Sequence, residues 1–195
     1  ETVSRSLNYQ QSDYAISQAA KKLNKMNDFN ILYSRSMNIT HLYDESSGFF
    51  RSKNKMGEFN NIKKFDEFAW GTDYTEAGPW QWRFYTPWNV KGLKNVMKNS
   101  KPNSIDLCTE LESAMTQRST FHIGGYSSEI HEQTEMVTNN WGQYSFNNQP
   151  VHYLLYVFGE SDDTTGNNDN NPNTPTPTPT PDYRKYCSQL GQKYG

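Results

Sequence analysis

Phe68-Ala69-Trp70-Gly71-Thr72-Asp73-Tyr74-Thr75-Glu76-Ala77-Gly78-Pro79-Trp80-Gln81-Trp82 is the stretch whose reading decides the fold. It has neither the 3.6-residue period of a helix nor the alternation of a strand. Large rings are interleaved with Gly, Thr and carboxylates, and the pattern continues through residues 44–87. Aperiodic loops of that length inside a compact domain are functional or disordered. Rings at this density argue against disorder, because such side chains find burial. An ordered functional loop is therefore expected, carried by helices on either side.

Working outward, Ser12 to Met26 reads as a helix with Ala15, Ile16, Ala19, Ala20 and Leu23 on one face. Ser12 is its expected N-cap, and Lys21, Lys22 and Lys25 crowd the end where the helix dipole favours cations. A second helix is expected from Asp28 to about Tyr43, with Phe29, Leu32, Ser36, Ile39 and Tyr43 aligned, closing an antiparallel hairpin. Downstream, Pro87–Met97 carries Val90, Leu93, Val96 and Met97 in register, with Pro87 in the opening turn. Ser104–Met115 aligns Ile105, Cys108, Leu111 and Met115 behind a Ser104 cap. A last short helix is expected over Pro150–Phe158, through Val151, Leu154, Leu155 and Phe158. Helix pairs joined by long aromatic loops predict an all-α fold, part of a toroid with the working residues on loops at one end. That unit covers residues 1–159. Residues 160–181 form a low-complexity Asn/Asp and Thr-Pro linker, expected to be a stiff polyproline-like spacer, and 182–195 form a short tail.

Composition narrows the partners. The mean hydropathy is -0.97, much of its polarity falling in 161–181, and aromatic residues make up 14% of the chain. Rings with polar edges suit sugar faces as well as cores. A net charge of -2 with no basic stripe argues against a nucleic-acid partner. No run of 18 apolar residues is present, so no membrane span is expected. Glu1 to Asn8 lacks the apolar core of a signal peptide, and the abrupt start fits a processed or truncated product. Two cysteines, Cys108 and Cys187, make no disulfide framework and have no metal-ligand spacing; a single bridge between them is possible, though nothing in the sequence argues for it.

Three segments, in order, resemble the catalytic domain of glycoside hydrolase family 92. Leu42-Tyr43-Asp44-Glu45-Ser46-Ser47-Gly48-Phe49-Phe50-Arg51 is similar to the family's "lfDpetGFmrgR" loop. Residues 68–82, quoted above, match "fDYTEGNAWQY" and run on through Thr86-Pro87-Trp88-Asn89-Val90-Lys91-Gly92-Leu93, like "vPHDvkGLi". Gly142-Gln143-Tyr144-Ser145-Phe146-Asn147-Asn148-Gln149-Pro150-Val151-His152-Tyr153 looks like "GqYaHgNEPSHH", and Leu7 to Ile16 resembles the family's "tLeyayDDwcIa" helix. The resemblance implies a calcium-dependent, exo-acting, inverting α-mannosidase on an (α/α)6 toroid, of which this chain would carry a part. It implies a mannose-containing glycan as partner.

Inversion needs one carboxylic acid to protonate the leaving oxygen and a second carboxylate, roughly 6.5–9.5 Å away, to activate water. By the resemblance Glu76 is the general acid. Flanked by Tyr74, Pro79, Trp80 and Trp82, it is expected to be partly desolvated, which raises a carboxyl pKa and keeps it protonated for donation. Trp70, Asp73, Trp80, Phe146, Asn147 and His152 fall at positions implied to meet the sugar. The family's calcium-binding Asn-Glu pair falls on Asn148 and Gln149, and Gln149 keeps an oxygen while losing the charge. Phe146 and Asn147 stand where α-1,2-cutting members carry His-Glu, so that specificity is not supported. Nothing after Phe158 resembles the family's base segment, and Asp162, Asp163 and Asp169 sit in low-complexity sequence. A general base is worth about 10²–10⁴-fold, so the chain alone is expected to be very weakly active.

A non-catalytic mannose-binding surface module is the competing reading, with the Thr-Pro stretch as a surface stalk. A cysteine protease built on Cys108 is the weakest, because Cys108 lies on an apolar helix face. Asn38-Ile39-Thr40 is a glycosylation sequon falling inside the expected second helix, where occupancy is disfavoured. Family habit and the stalk place the chain outside the cytosol. A part of a toroid exposes helix faces, so self-association or a complementing second chain is expected.

Overall fold

The computed structural model describes residues 2–60, 64–100 and 106–160. Ser104, Ile105, the linker from 161, the tail and Cys187 lie outside the described residues, as do Asp162, Asp163 and Asp169.

The chain is mostly helical. α1 (Thr2–Lys22) and α2 (Met26–Ser36) pack side by side. A two-residue ribbon follows, β1 (Tyr43–Asp44) antiparallel to β2 (Phe49–Phe50), pairing Tyr43 with Phe50 and Asp44 with Phe49. Then come α3 (Pro79–Trp82), α4 (Val90–Ser100), α5 (Leu107–Thr116), α6 (His131–Thr138) and α7 (Leu154–Glu160). No helix among the described residues is long and apolar enough to cross a membrane.

α1 begins ten residues before the expected Ser12 cap. The Ser12 hydroxyl instead donates to the carbonyl of Asn8, one turn back. The true start is held from outside, since the Val3 and Ser4 N–H groups donate to the Asp73 carbonyl at 3.0 and 3.3 Å. Its buried face also differs from the expected one. Val3, Ser4, Leu7, Asp13, Ser17 and Ala20 are buried, whereas Ile16 is 55% and Leu23 69% exposed. The α1–α2 seam combines small groups, an ion pair and rings: Tyr14 meets Tyr33 with centroids 6.3 Å apart, and Lys21 lies over the Phe29 ring. Ser17 and Ser36 turn their hydroxyls back onto Tyr14 and Tyr33 carbonyls, and Arg35 grips Asp13 bidentately at 2.5 and 2.6 Å. Asn24, at φ 59, turns the chain between the two helices.

α2 stops at Ser36, not near Tyr43. A short 3₁₀ turn (Ile39–His41) separates it from β1, which leaves Asn38 exposed and outside any helix. The two middle helices match their expected faces. Val90, Leu93, Val96 and Met97 are buried on α4, and Cys108, Leu111 and Met115 on α5. Their caps differ: Asn89 Oδ1 accepts from the Gly92 N–H at 3.0 Å, and Asp106 accepts from Cys108 and Thr109 N–H groups. The final element divides into a 3₁₀ turn, Gln149–Val151, and α7.

The core is gathered around the loops. Phe49, Phe50, Tyr74, Trp80, Trp82 and Phe84 are buried in one cluster with the inner faces of α4, α5 and α7.

Candidate active site

The three sequence segments meet in space, and polar side chains hold them together. Tyr74 donates its hydroxyl to the Phe50 carbonyl at 2.6 Å, and Arg83 Nε donates to Gly48 O at 2.9 Å. Ser52 donates to Asp73 Oδ2 at 2.6 Å. These contacts seat the ribbon loop on the aromatic loop. The third segment attaches through amides. Buried Gln81 accepts from the Gly78 N–H at 2.9 Å and donates to the Gln143 carbonyl at 2.9 Å. Gln143 passes the connection to Thr120 O at 2.8 Å. Asn148, also buried, donates its side-chain amide to the backbone carbonyl of Glu76. Buried polar groups in a fully connected network specify one arrangement, because any slip leaves an unpaired group in a dry site.

The backbone of the aromatic loop is unusual. Gly71, Thr72 and Glu76 all have positive φ, at 79, 60 and 55°. For a β-branched residue such as Thr72 that is a steric outlier. Such conformations persist where surroundings over-determine them, and they cluster at functional sites. The surroundings here are visible. Gly71 N–H donates to Ala77 O at 2.9 Å, closing the loop, while residues 122–125 run alongside it. Trp70 N–H donates to His122 O, His122 N–H to Phe68 O and Gly125 N–H to Trp70 O, at 3.1, 2.8 and 2.7 Å. A Cβ on Gly124 would strike the Trp70 carbonyl, and one on Gly125 the Thr72 backbone, so this close approach requires both glycines.

Two buried ion pairs stiffen the base of the site. Arg51 meets Asp44 at 2.6 Å and lies over the Phe65 ring, 4.6 Å from its centroid. Arg83 meets Glu110 at 2.8 Å and lies over Trp80 and Phe49. Burial pushes the Asp44 carboxyl up, but hydrogen bonds from Ser46, Arg51 and Ser47 outweigh it and hold the group below its ordinary value. Burial drives the Tyr74 phenol far above its ordinary value, and that of Tyr144 up to about 12. A cleft of about 130 Å³ opens between Arg51, Ser52, Asp66, Asp73 and Tyr74.

The site residues expected from sequence divide into rim and interior. Glu76 is exposed, contrary to the expected enclosure. Its positive φ turns the carbonyl in to Asn148 and leaves the carboxyl in solvent, so the flanking rings do not cover it. Trp70 is 1% exposed and Trp80 is buried edge-on against Phe49, so neither offers a face to a sugar; both support the loop from beneath. Asp73 lines the cleft, half-buried. Phe146 is 53% exposed and sits between Trp141 and His152, whose ring nitrogen bonds its carbonyl at 3.0 Å. Asn147 donates to the Glu135 carboxylate at 2.6 Å. Gln149 is exposed beside buried Asn148.

Calcium does not fit these residues as they stand. Ca²⁺ takes six to eight oxygens, with carboxylates among them. Asn148 and Gln149 supply two neutral amides, and no group of three or more His, Cys, Asp or Glu side chains among the described residues could hold an ion. Cys108 is disulfide-bonded and therefore carries no nucleophilic thiol, which removes the protease reading.

Sequence reasoning missed Gln81, Gln143, Gly124, Gly125 and α6 with its Glu135. Both glutamines lie inside the quoted segments, yet a polar residue with no periodic neighbours carries no local sign of burial.

Comparison with known proteins identifies the family and the fold. The glycosyl hydrolase family 92 catalytic domain matches residues 1–166. A solved family GH92 α-mannosidase from Bacteroides thetaiotaomicron is similar over 80% of this chain and 17% of its own, at 26% identity and TM-score 0.59. A family GH92 inverting mannosidase from the same organism shares 30% identity over 78% of this chain and 20% of its own, at TM-score 0.60. The first enzyme in complex with mannoimidazole aligns at TM-score 0.63, 24% identity, over 80% of this chain and 20% of its own. The chain thus spans about a fifth of the length of these structures. No curated protein matches it in sequence.

Proposed function

The chain belongs to glycosyl hydrolase family 92, and we propose that it is the acid-bearing part of an inverting α-mannosidase acting on terminal mannose of glycans. The observation that carries the reading is the backbone at Glu76: a non-glycine residue at φ 55, pinned by buried Asn148 from another family segment. That pairing fixes where the Glu76 carboxyl emerges while leaving it open to a substrate. In this reading Glu76 protonates the leaving oxygen. Asp73 and Ser52 in the cleft accept and donate to sugar hydroxyls, and Phe146 offers its face at the rim. The carboxylate that activates water comes from outside the described residues, as do any further oxygen ligands for calcium. The chain alone is accordingly a weak catalyst.

A second reading, a surface that binds mannose-containing glycans without cleaving them, is favoured by the exposed Phe146 ring between Trp141 and His152. One experiment separates the two. Release of mannose from α-mannosides is measured with calcium and with chelator, beside glycan-binding calorimetry, for the chain and its Glu76→Gln variant. Release lowered about 10²–10⁴-fold by the substitution supports the acid role. Binding without release, unchanged in the variant, supports the module. A folded chain that neither binds nor cleaves sinks both.

A further inference from the structure

We infer that Asn38 is an N-glycosylation site, and that its glycan seats its first sugar in the hollow between α1 and the end of α2. Asn38-Ile39-Thr40 is the acceptor pattern for transfer of an oligosaccharide to the asparagine amide. Such a site needs an exposed asparagine outside regular helix, and the structure supplies one. α2 ends at Ser36, the 3₁₀ turn begins at Ile39, and Asn38 stands exposed between them at φ -83, ψ 52. The pattern's hydroxyl is in place, since Thr40 Oγ1 donates to Asn38 Oδ1 at 3.2 Å. The backbone is tied down separately: Gln10 Nε2 donates to the Asn38 carbonyl at 3.1 Å. No described hydrogen bond uses the Asn38 side-chain nitrogen as donor, so a substituent there displaces nothing.

The surroundings suit a sugar. Asn38 borders a hollow of about 380 Å³ shared with Tyr9, Gln10, Asp13, Arg35 and His41. Tyr9 is a largely exposed ring, the kind of amphipathic face on which a pyranose packs. In the transfer, the Asn38 amide nitrogen forms a bond to C1 of a lipid-pyrophosphate-linked oligosaccharide. The C1–O bond to the pyrophosphate breaks, the lipid pyrophosphate leaves, and the amide proton passes to a base of the transferring enzyme. The inference stands apart from the mannosidase reading and survives its failure.

The test is translation of the full chain behind a secretory leader into eukaryotic microsomes, scoring only translocated, protease-protected product. The expected result is a single mobility shift, lost in Asn38→Gln and in Thr40→Ala and kept in Thr40→Ser. Peptide N-glycosidase, which cuts at the asparagine and so takes off the first sugar, should remove it, and fluorescence from Tyr9→Trp should change on removal. Translocated chains that stay unshifted beside a glycosylated control protein overturn the site. A Tyr9→Trp signal indifferent to its removal overturns the placement in the hollow.

Discussion

The α1–α2 hairpin and the loop block 42–89 invert the usual division of labour. The helices carry exposed apolar side chains, Ile16, Leu23 and Ile31 among them, and meet each other through serines, an alanine, the Asp13–Arg35 pair and the half-exposed Tyr14–Tyr33 rings. The loops bury Trp70, Phe50 and Phe84 almost completely. A helix satisfies its own backbone and so tolerates a wet face, awaiting whatever covers it. A loop satisfies its backbone only through other segments, and here those segments are the ribbon, residues 122–125 and the stretch from Trp141 onward. In these two regions burial follows the availability of partners for backbone and ring, not the spacing of apolar residues.

The sharpest way to break this contrast is Trp70→Ala. Removing a fully buried ring costs about 3–5 kcal/mol, and chemical denaturation should show it as a large fall in midpoint. A cost below about 1 kcal/mol would mean that the loop is no core. Alkali probes the same block less drastically. The neutral phenols of Tyr74, Tyr144 and Tyr153 are favoured in the folded chain because burial raises their pKa values. Their contribution is fully present below the unfolded value of about 10, and it is lost as pH rises from there through about 12 for Tyr144. Thermal midpoints should fall over that window together with a late tyrosinate absorbance; tyrosinate forming while the midpoint holds would contradict the dry loop. The smallest effect belongs to the hairpin. Ile16→Ser with Leu23→Ser should change stability by no more than about 0.5 kcal/mol for each site, while lowering any concentration-dependent association seen by light scattering. A large loss of stability would show that this face is already covered.

Legibility followed the kind of signal each element carries. α4 and α5 were readable because their buried residues are apolar and evenly spaced. α1 was found but its face misread, since selecting apolar positions picked Ile16 and Leu23 over Ser17 and Asp13. α6 gave no stripe to find, as Gln133 and Met136 are its only buried residues. At the site, Glu76 and Asn148 stood out through their family segments, but the bond joining them, and the Gln81–Gln143 relay beside it, connect residues more than 60 positions apart.

What the sequence determined by itself was the helical class, the two middle helix faces, the family and the order of the three motif segments. Those depend on local spacing and residue chemistry, which one dimension records. Tertiary structure alone decided which rings became supports and which stayed at the rim, where α2 stops, and that Glu76 emerges into solvent from a left-handed backbone. These outcomes were set by close approaches between distant segments, with glycine, amide and guanidinium groups matched across the gap.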